Sequence, residues 1–123
     1  MLVRTLGVAA AALLMFSTSS LAAPDIAAGK REVVRCVACH SLTAGINKTG
    51  PSLFGVVGRK AGTVPNFAYS HAMANSQIVW TVDKLDAYLN GPKSLVLGNH
   101  MGYAGVSHEA ARANLIAYLA TLK

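Results

Sequence analysis

Cys36-Val37-Ala38-Cys39-His40 places two thiols on either side of two apolar residues, with a histidine directly after the second thiol. This spacing is the attachment signature of a c-type haem. Each thiol can add to one vinyl group of the haem, and the adjoining imidazole can bind the iron from one face. The stretch therefore predicts one covalently bound haem c, anchored by Cys36 and Cys39, with His40 as an axial iron ligand.

Other uses of these residues remain open from the motif alone. A disulfide between Cys36 and Cys39 would suit an oxidising compartment, but it would not explain the presence of His40 directly after the second thiol. A zinc site would need a fourth ligand from one of the three distant histidines, without the usual second paired motif. A thioredoxin-like redox pair normally follows a buried strand, whereas residues 25–35 have helical periodicity. The haem interpretation is favoured because it uses all three side chains.

The N-terminal residues have the features of a secretory signal peptide. Arg4 precedes an apolar run over residues 6–16, and small residues lie before a predicted cleavage after Ala22. An uncleaved anchor is the alternative, but a helix that crosses a bilayer needs roughly twenty apolar residues. We therefore predict that residues 1–22 are removed and that residues 23–123 form one soluble periplasmic domain.

The charge balance points to a protein partner. The formal net charge is +6, and loss of Arg4 lowers it to +5 because no acidic residue precedes Asp25. A basic domain could bind nucleic acid, but aromatic residues make up only 7% of the chain and no nucleic-acid motif is present. We predict redox proteins with acidic docking surfaces as partners, and no nucleic acid. A basic surface that serves only solubility is the alternative.

Periodicity and capping residues predict an all-α domain. The predicted segments are a helix over 25–37 capped by Asp25, a short turn over 70–75 capped by Ser70, a helix capped by Thr81 and stopped by Gly91-Pro92, and a last helix over 108–122 capped by Ser107. Residues 41–64 are rich in glycine and predict a long loop. No strand alternation interrupts this pattern, so a cofactor between the terminal helices would organise the loops.

The second axial ligand is sought among two methionines and three histidines of the mature chain. Met73 lies in a short apolar helical run, which favours a packing role, whereas Met101 lies in a glycine-rich irregular segment that can bring its sulfur to a metal. Met101 is therefore the predicted ligand. His100 is adjacent to it and is kept as a replacement ligand or as an exposed, titrating surface residue.

Several short motifs follow the haem signature in the order found in class I cytochromes c. They are Thr49-Gly50-Pro51, Gly58-Arg59-Lys60, Phe67 with Tyr69, Trp80, Leu85-Asp-Ala-Tyr88-Leu89 with Pro92, Met101 with Ala104-Gly105, and Leu115-Ile-Ala-Tyr118-Leu119. Over essentially the whole mature chain the sequence resembles this family, and within it the bacterial cytochromes c2. The resemblance implies crossing N- and C-terminal helices, a middle helix bearing Trp and Tyr, and long loops around one covalently bound haem.

The resemblance also implies roles around the haem. Pro51 would offer its carbonyl to the His40 imidazole, and Tyr88 would reach towards the Met101 sulfur. The remaining haem-environment residues would contact the buried propionates, and they are Arg59, Tyr69 and Trp80. Gly29 would let the first helix cross the last. The implied function is a one-electron carrier whose low-spin His/Met iron cycles between Fe(II) and Fe(III), not an enzyme.

Partner recognition follows from the same resemblance. It puts Arg35, Lys48 and Lys93 nearest the haem edge, where their charge would steer encounter at low salt. The implied partners are a membrane cytochrome complex as donor and an oxidase, a reaction centre or another exported redox enzyme as acceptor, with the chain acting as a monomer. The competing function is a haem peroxidase or a small-ligand-binding or sensing haem protein, which would require a displaceable Met101.

The methionine loop departs most from the family pattern. Leu97 stands where a proline is frequent, Asn99 where a threonine is frequent, and His100 where a lysine is frequent.

Overall fold

The computed structural model describes residues 2–3, 7–17 and 22–123. Over these ranges the chain forms α1 (Ile26–Glu32), a 3₁₀ turn (Val33–Arg35), α2 (His71–Ala74), α3 (Val82–Asn90), α4 (Pro92–Leu95) and α5 (Glu109–Leu119). Lys60 and Val79 form an isolated antiparallel bridge, and the described ranges contain no strand. The predicted all-α class is confirmed.

The predicted signal peptide falls partly outside the described residues. Residues 1, 4–6 and 18–21 are not described, and they include Arg4 and most of the polar stretch before the predicted cleavage point. Cleavage after Ala22 therefore stays a prediction. Across the part of the chain that is described, no helix combines the length and the apolar content that crossing a bilayer would require.

Helices α1 and α5 cross at Gly29. Gly29 is buried, and a Cβ placed there would collide with the Asn114 carbonyl and lie 2.8 Å from the Tyr118 Cβ. Asp25 caps α1 by accepting from the Ala28 amide at 3.1 Å, as predicted, and its own amide donates to Asn114 Oδ1 at 2.8 Å. The cap and the glycine therefore place the start of the chain against the terminal helix.

The helix predicted over residues 25–37 is shorter in the structure. It changes to a 3₁₀ turn after Glu32, where the Cys36 amide donates to Val33 O at 2.8 Å. Two adjacent β-branched residues, Val33 and Val34, have low helix propensity, which favours ending the regular helix there. This tight turn leads directly into the cysteine-containing stretch.

The middle of the chain corrects two expectations. Trp80 is not part of the middle helix: its backbone pairs with Gly58 and Arg59, and Thr81 then caps α3, which carries Tyr88. Gly91-Pro92 ends α3 but does not end helical structure, because Pro92 is the first residue of α4. The fixed φ of proline suits the first position of a helix, where its missing N–H is not needed.

The cap of α5 is also corrected, from Ser107 to His108. The His108 Nδ1 accepts from the Ala111 amide at 3.3 Å. The Ser107 carbonyl instead accepts from the guanidinium of Arg112 at 2.9 Å, so this residue contributes its backbone to a different interaction. Arg112 is only 7% exposed and also pairs with Asp86 at 2.9 Å, which joins α5 to α3.

Candidate haem-binding site

The cysteine-containing stretch forms two tight turns. The Cys39 and His40 amides both donate to Cys36 O, at 3.1 and 2.9 Å. Both cysteines are free thiols, with Cys36 half-buried and Cys39 exposed, so the disulfide interpretation gains no support. Burial, and next the charge of Glu32, raise the pKa of the Cys36 thiol. Among the described residues, no three His, Cys, Asp or Glu side chains gather into a metal-binding group, so the zinc site is not found there.

The His40 ring is held in one orientation by residues 50 and 51. Its Nδ1–H donates to Pro51 O at 2.7 Å, the contact that the resemblance implied. A Cβ at Gly50 would lie 2.6 Å from Nδ1 and 2.8 Å from Nε2, so the backbone can approach the ring only because residue 50 is glycine. With Nδ1 engaged as a donor, Nε2 is the nitrogen left with a free lone pair.

The protonation state of His40 suits a ligand. Burial is the main cause that lowers its pKa, and the charges of Arg59 and Lys48 lower it further, while the bond to Pro51 acts in the opposite direction. A metal-binding imidazole must be neutral, so a lowered pKa favours the binding form. The site thus presents a neutral imidazole with its Nε2 available.

Pro51 is itself positioned by polar neighbours that sequence reasoning missed. Ser52 is 3% exposed, its amide donates to Asn47 Oδ1 at 3.0 Å, and its hydroxyl donates to Thr43 O at 2.7 Å. The Asn47 amide group in turn donates to Pro65 O at 3.0 Å. Asn and Ser in a glycine-rich segment form such side-chain bonds to nearby backbone, which is the signal that could have identified them.

Arg59 and Trp80 lie side by side, and Tyr69 is near them. The Arg59 Nη1 donates to Ser52 O at 2.9 Å, and the Trp80 amide donates to Arg59 O at 2.8 Å. Burial lowers the pKa of Arg59, and the nearby Tyr69 raises it. The Tyr69 hydroxyl accepts from the Val64 amide at 3.0 Å. This hydroxyl and the guanidinium have further donor capacity, so the group can hold buried carboxylates.

Met101 and Tyr88 come together on another part of the site. The Tyr88 hydroxyl donates to Met101 Sδ at 3.9 Å, and the Tyr88 ring packs on Trp80 with centroids 4.8 Å apart. Met101 is half-buried. Met73, the rejected candidate, is a partly buried residue packed against the hydrophobic core. The donated bond leaves the Met101 sulfur with a further lone pair.

The remaining histidines have other surroundings. His71 begins α2 and lies 3.3 Å from the Asn75 amide nitrogen, His108 caps α5, and His100 is exposed next to Met101. The three predicted docking residues, Arg35, Lys48 and Lys93, are exposed as well. Lys48 also donates to Val37 O, so part of its hydrogen-bonding capacity holds the cysteine-containing stretch.

The buried Tyr88 predicts a loss of stability at high pH. Burial raises its pKa from 10.0 to about 12, so between these values the folded protein binds more protons than the unfolded chain. Stability from this group is complete below pH 10 and is lost as pH rises towards 12, by about 2 to 3 kcal/mol. We expect guanidinium unfolding of Tyr88→Phe to lack this part of the alkaline loss.

The comparison needs a second tyrosine variant as control. Tyr118→Phe removes a half-buried tyrosine of α5 but keeps Tyr88, so it should retain the alkaline loss of the original protein. Parallel stability curves for Tyr88→Phe and the original chain between pH 10 and 12 would contradict the assignment to Tyr88.

Comparison with known proteins gives consistent matches. The chain matches no protein-family model. It is 50% identical over 88 residues to cytochrome c2 of Rhodopila globiformis, covering 72% of this chain and 83% of that protein. It is 48% identical over 85 residues to cytochrome c of Euglena viridis, covering 69% and 83% of the two chains. The solved structure of cytochrome cH from Methylobacterium extorquens is similar, with a TM-score of 0.75 and 39% identity over 79% of this chain and 98% of that chain.

These relatives identify the family. The match covers most of the length of each of these three proteins. Their sequence identities to this chain are well above the level at which only a fold is shared. The similar solved structure also agrees with the all-α fold of the described residues. Proteins of this group transfer electrons and carry one covalently attached haem c. The chain therefore belongs to the class I cytochrome c family and is an electron-transfer protein rather than an enzyme.

Proposed function

We propose that the chain carries one electron at a time, with haem c bonded to Cys36 and Cys39 and with His40 and Met101 as its axial ligands. The observation that carries this proposal is that the chain itself orients both ligand side chains. The His40 Nδ1 contacts Pro51 O at 2.7 Å, and the Met101 sulfur accepts from the Tyr88 hydroxyl at 3.9 Å. Each ligand keeps one lone pair for the iron.

The residues around the site fit this use. When bound, the haem supplies a one-electron Fe(II)/Fe(III) couple. A nitrogen and a thioether in the two axial positions leave no open position for a substrate, and the soft sulfur favours the reduced state. The same two contacts, from Pro51 and Tyr88, can hold the ligands in both oxidation states, which limits reorganisation during transfer.

The carboxylate side chains of the haem need buried donors. Arg59 is held by Ser52 O and Phe54 O through Nη1 alone, so its other guanidinium nitrogens are left for a propionate. Tyr69 and Trp80 would add a hydroxyl and an indole N–H. Charge-assisted bonds of this kind offset the cost of burying a carboxylate. The half-buried Cys36 and the exposed Cys39 would fix the ring at its edge.

Partner docking would use the exposed cations Arg35, Lys48 and Lys93. The chain carries 11 Lys and Arg against 5 Asp and Glu, which suits partners with acidic surfaces. We propose a membrane cytochrome complex as donor and an oxidase, reaction centre or other exported redox enzyme as acceptor. Rates of reaction with such partners should fall as salt rises past about 0.1 M, where the Debye length shortens to roughly 10 Å.

The proposed location is the periplasm. Removal of residues 1–22 would leave residues 23–123, which include every described helix from Ile26 onwards. Export to the periplasm, cleavage after Ala22 and attachment of haem to both thiols would together produce one mature protein of defined mass. That species carries a single haem and lacks the apolar run over residues 6–16.

One set of measurements on the purified holoprotein tests these proposals together. Intact mass reports the number of haems and the cleavage site. Absorption and magnetic circular dichroism report spin state and sulfur ligation, the latter through the weak near-infrared sulfur-to-iron band of the oxidised protein. We expect one haem, a mature chain from Ala23, a low-spin iron and the near-infrared band.

High-spin spectra at neutral pH, or rapid carbon monoxide binding by the reduced protein, would contradict His/Met ligation. They would favour the ligand-binding alternative with a displaceable Met101. The near-infrared band could instead change as pH is varied while the iron stays low-spin. That result would identify replacement of the sulfur by a nitrogen such as that of His100.

A further inference from the structure

Asn99 is a buried polar residue in an otherwise exposed stretch of the methionine loop. It is 4% exposed, whereas its neighbour Leu97 is 86% exposed. Its Nδ2 donates to Pro92 O at 2.9 Å and to Val96 O at 2.8 Å, and its Oδ1 accepts from the Met101 amide at 2.8 Å. The Asn99 side chain therefore joins the backbone of Met101 to the backbone of α4 and of Val96, the residue directly after α4.

The bond to Met101 depends on Asn99 more than the other two bonds do. Pro92 O also accepts from the Val96 amide at 3.0 Å, and Val96 O accepts from the Asn99 amide at 3.1 Å. Both carbonyls would keep a backbone partner if the side chain were removed. The Met101 N–H would lose the acceptor that it has in the structure, so the penalty would fall on the residue that bears the sulfur.

The other residues of the loop fix the position of the Met101 backbone less firmly. Gly98 has a φ of +87°, a conformation that glycine adopts readily, and His100 is exposed. The Tyr88 hydroxyl contacts the sulfur but not the loop backbone. The fixed position of the Met101 backbone thus depends on a side chain two residues earlier.

We propose that Asn99 is a positioning residue that holds Met101 as a ligand and controls how often the methionine loop opens. This inference rests on the proposed role of Met101 as an axial ligand. The departure from the family at this position would then be functional: a threonine hydroxyl could accept from the Met101 amide, but it cannot donate to two carbonyls at once.

The first test measures entry of imidazole into the oxidised holoprotein by stopped flow. At high imidazole concentration the rate reaches a limit that equals the rate of loop opening. Loss of the hydrogen bond from the partly buried Met101 amide should raise this limit for Asn99→Ala by about ten- to hundredfold. Leu97→Ala is the matched control in the same loop, and as a surface substitution it should change the limit by no more than about twofold.

Further measurements separate local opening from general loss of stability. Imidazole entry is repeated at low guanidinium concentrations, because local opening exposes little surface and depends weakly on denaturant. Hydrogen exchange of the Met101 amide in the reduced protein should be faster in Asn99→Ala and intermediate in Asn99→Thr. The series is repeated with His100→Ala, so that the adjacent imidazole cannot replace the sulfur.

The outcomes distinguish this inference from the proposal on which it rests. A near-infrared band in the original protein, with faster and weakly denaturant-dependent entry in Asn99→Ala, supports both. The same band with Asn99→Ala matching Leu97→Ala overturns the role of Asn99 alone. So does faster entry whose denaturant dependence equals that of global unfolding, because Asn99 would then act only on overall stability. Absence of the band from the original protein overturns both.

Discussion

Met101→Ala is expected to abolish the near-infrared sulfur-to-iron band and to replace the proposed low-spin state by one that binds carbon monoxide rapidly when reduced. The alanine has no donor atom, and the Tyr88 hydroxyl loses the sulfur that it contacts at 3.9 Å. Water or an added ligand can then enter beside the exposed His100. Because axial ligands set haem potentials over a range of roughly 0.8 V, the reduction potential should fall by on the order of a hundred millivolts or more.

Met73→Ala is the matched control for this experiment. Met73 is also partly buried, but it lies in α2 and packs against the hydrophobic core. Its truncation should lower the free energy of unfolding by about 2 kcal/mol while the near-infrared band and the potential stay in place. Retention of the band in Met101→Ala, or its loss in Met73→Ala, would show that the sulfur ligand has been assigned to the wrong methionine.

The same variant separates the two functions considered for the sequence. Ligand binding and peroxidase-type chemistry both need an open axial position, which the original chain closes with Met101 in the proposed site. Met101→Ala should gain carbon monoxide binding while losing efficient electron exchange with partners. Equal ligand binding by the variant and the original protein would mean that the position is open already.

Those features that depend on short-range chemistry were predictable from the sequence. The cysteine-containing stretch and the Asp25 and Thr81 caps each follow from residue type and spacing over a few positions, whereas the glycine at the helix crossing came from the family resemblance. The contact from Pro51 to His40 came from the family resemblance, and the structure contains it at 2.7 Å. The helix boundaries were less predictable, because residues at the ends can adopt two local structures of similar energy. Pro92 illustrates this: it can end one helix and begin another.

The features that were missed are polar side chains bonded to loop backbone. Asn47, Ser52 and Asn99 each satisfy carbonyls or amides that tertiary folding brings near them. Arg112 is a further example, since its partner Asp86 lies on another helix. Residue type suggests that Asn and Ser in such loops bond to nearby backbone, but which carbonyl or amide each side chain reaches is decided only when the loops fold over the core. Asn47 and Ser52 hold the chain next to Pro51, which orients His40, and Asn99 accepts from the Met101 amide.

Gly29→Ala is expected to produce the largest loss of stability among the predicted variants, with the free energy of unfolding lowered by about 3 kcal/mol or more. The added Cβ would collide with the Asn114 carbonyl and approach the Tyr118 Cβ to 2.8 Å, against an ordinary contact of 3.4–4 Å. Backbone atoms cannot turn aside as a flexible side chain can. Helices α1 and α5 must therefore separate, which loosens packing around Val33 and Leu115 in the core.

The sign of this effect is informative because helix propensity acts in the opposite direction. Alanine in a helix interior is favoured over glycine by about 1 kcal/mol, so a mere propensity effect would stabilise the variant. Gly102→Ala adds the same methyl group where no other atom lies within 4 Å, and guanidinium unfolding should show little change for it. Unfolding of Gly29→Ala at the same guanidinium concentration as the original protein, or at a higher one, would contradict this prediction. It would show that the close approach of α1 and α5 at residue 29 does not require glycine. A large decrease for Gly29 beside a small one for Gly102 would instead trace the loss to the contact between the terminal helices, which encloses the core beside the cysteine-containing stretch.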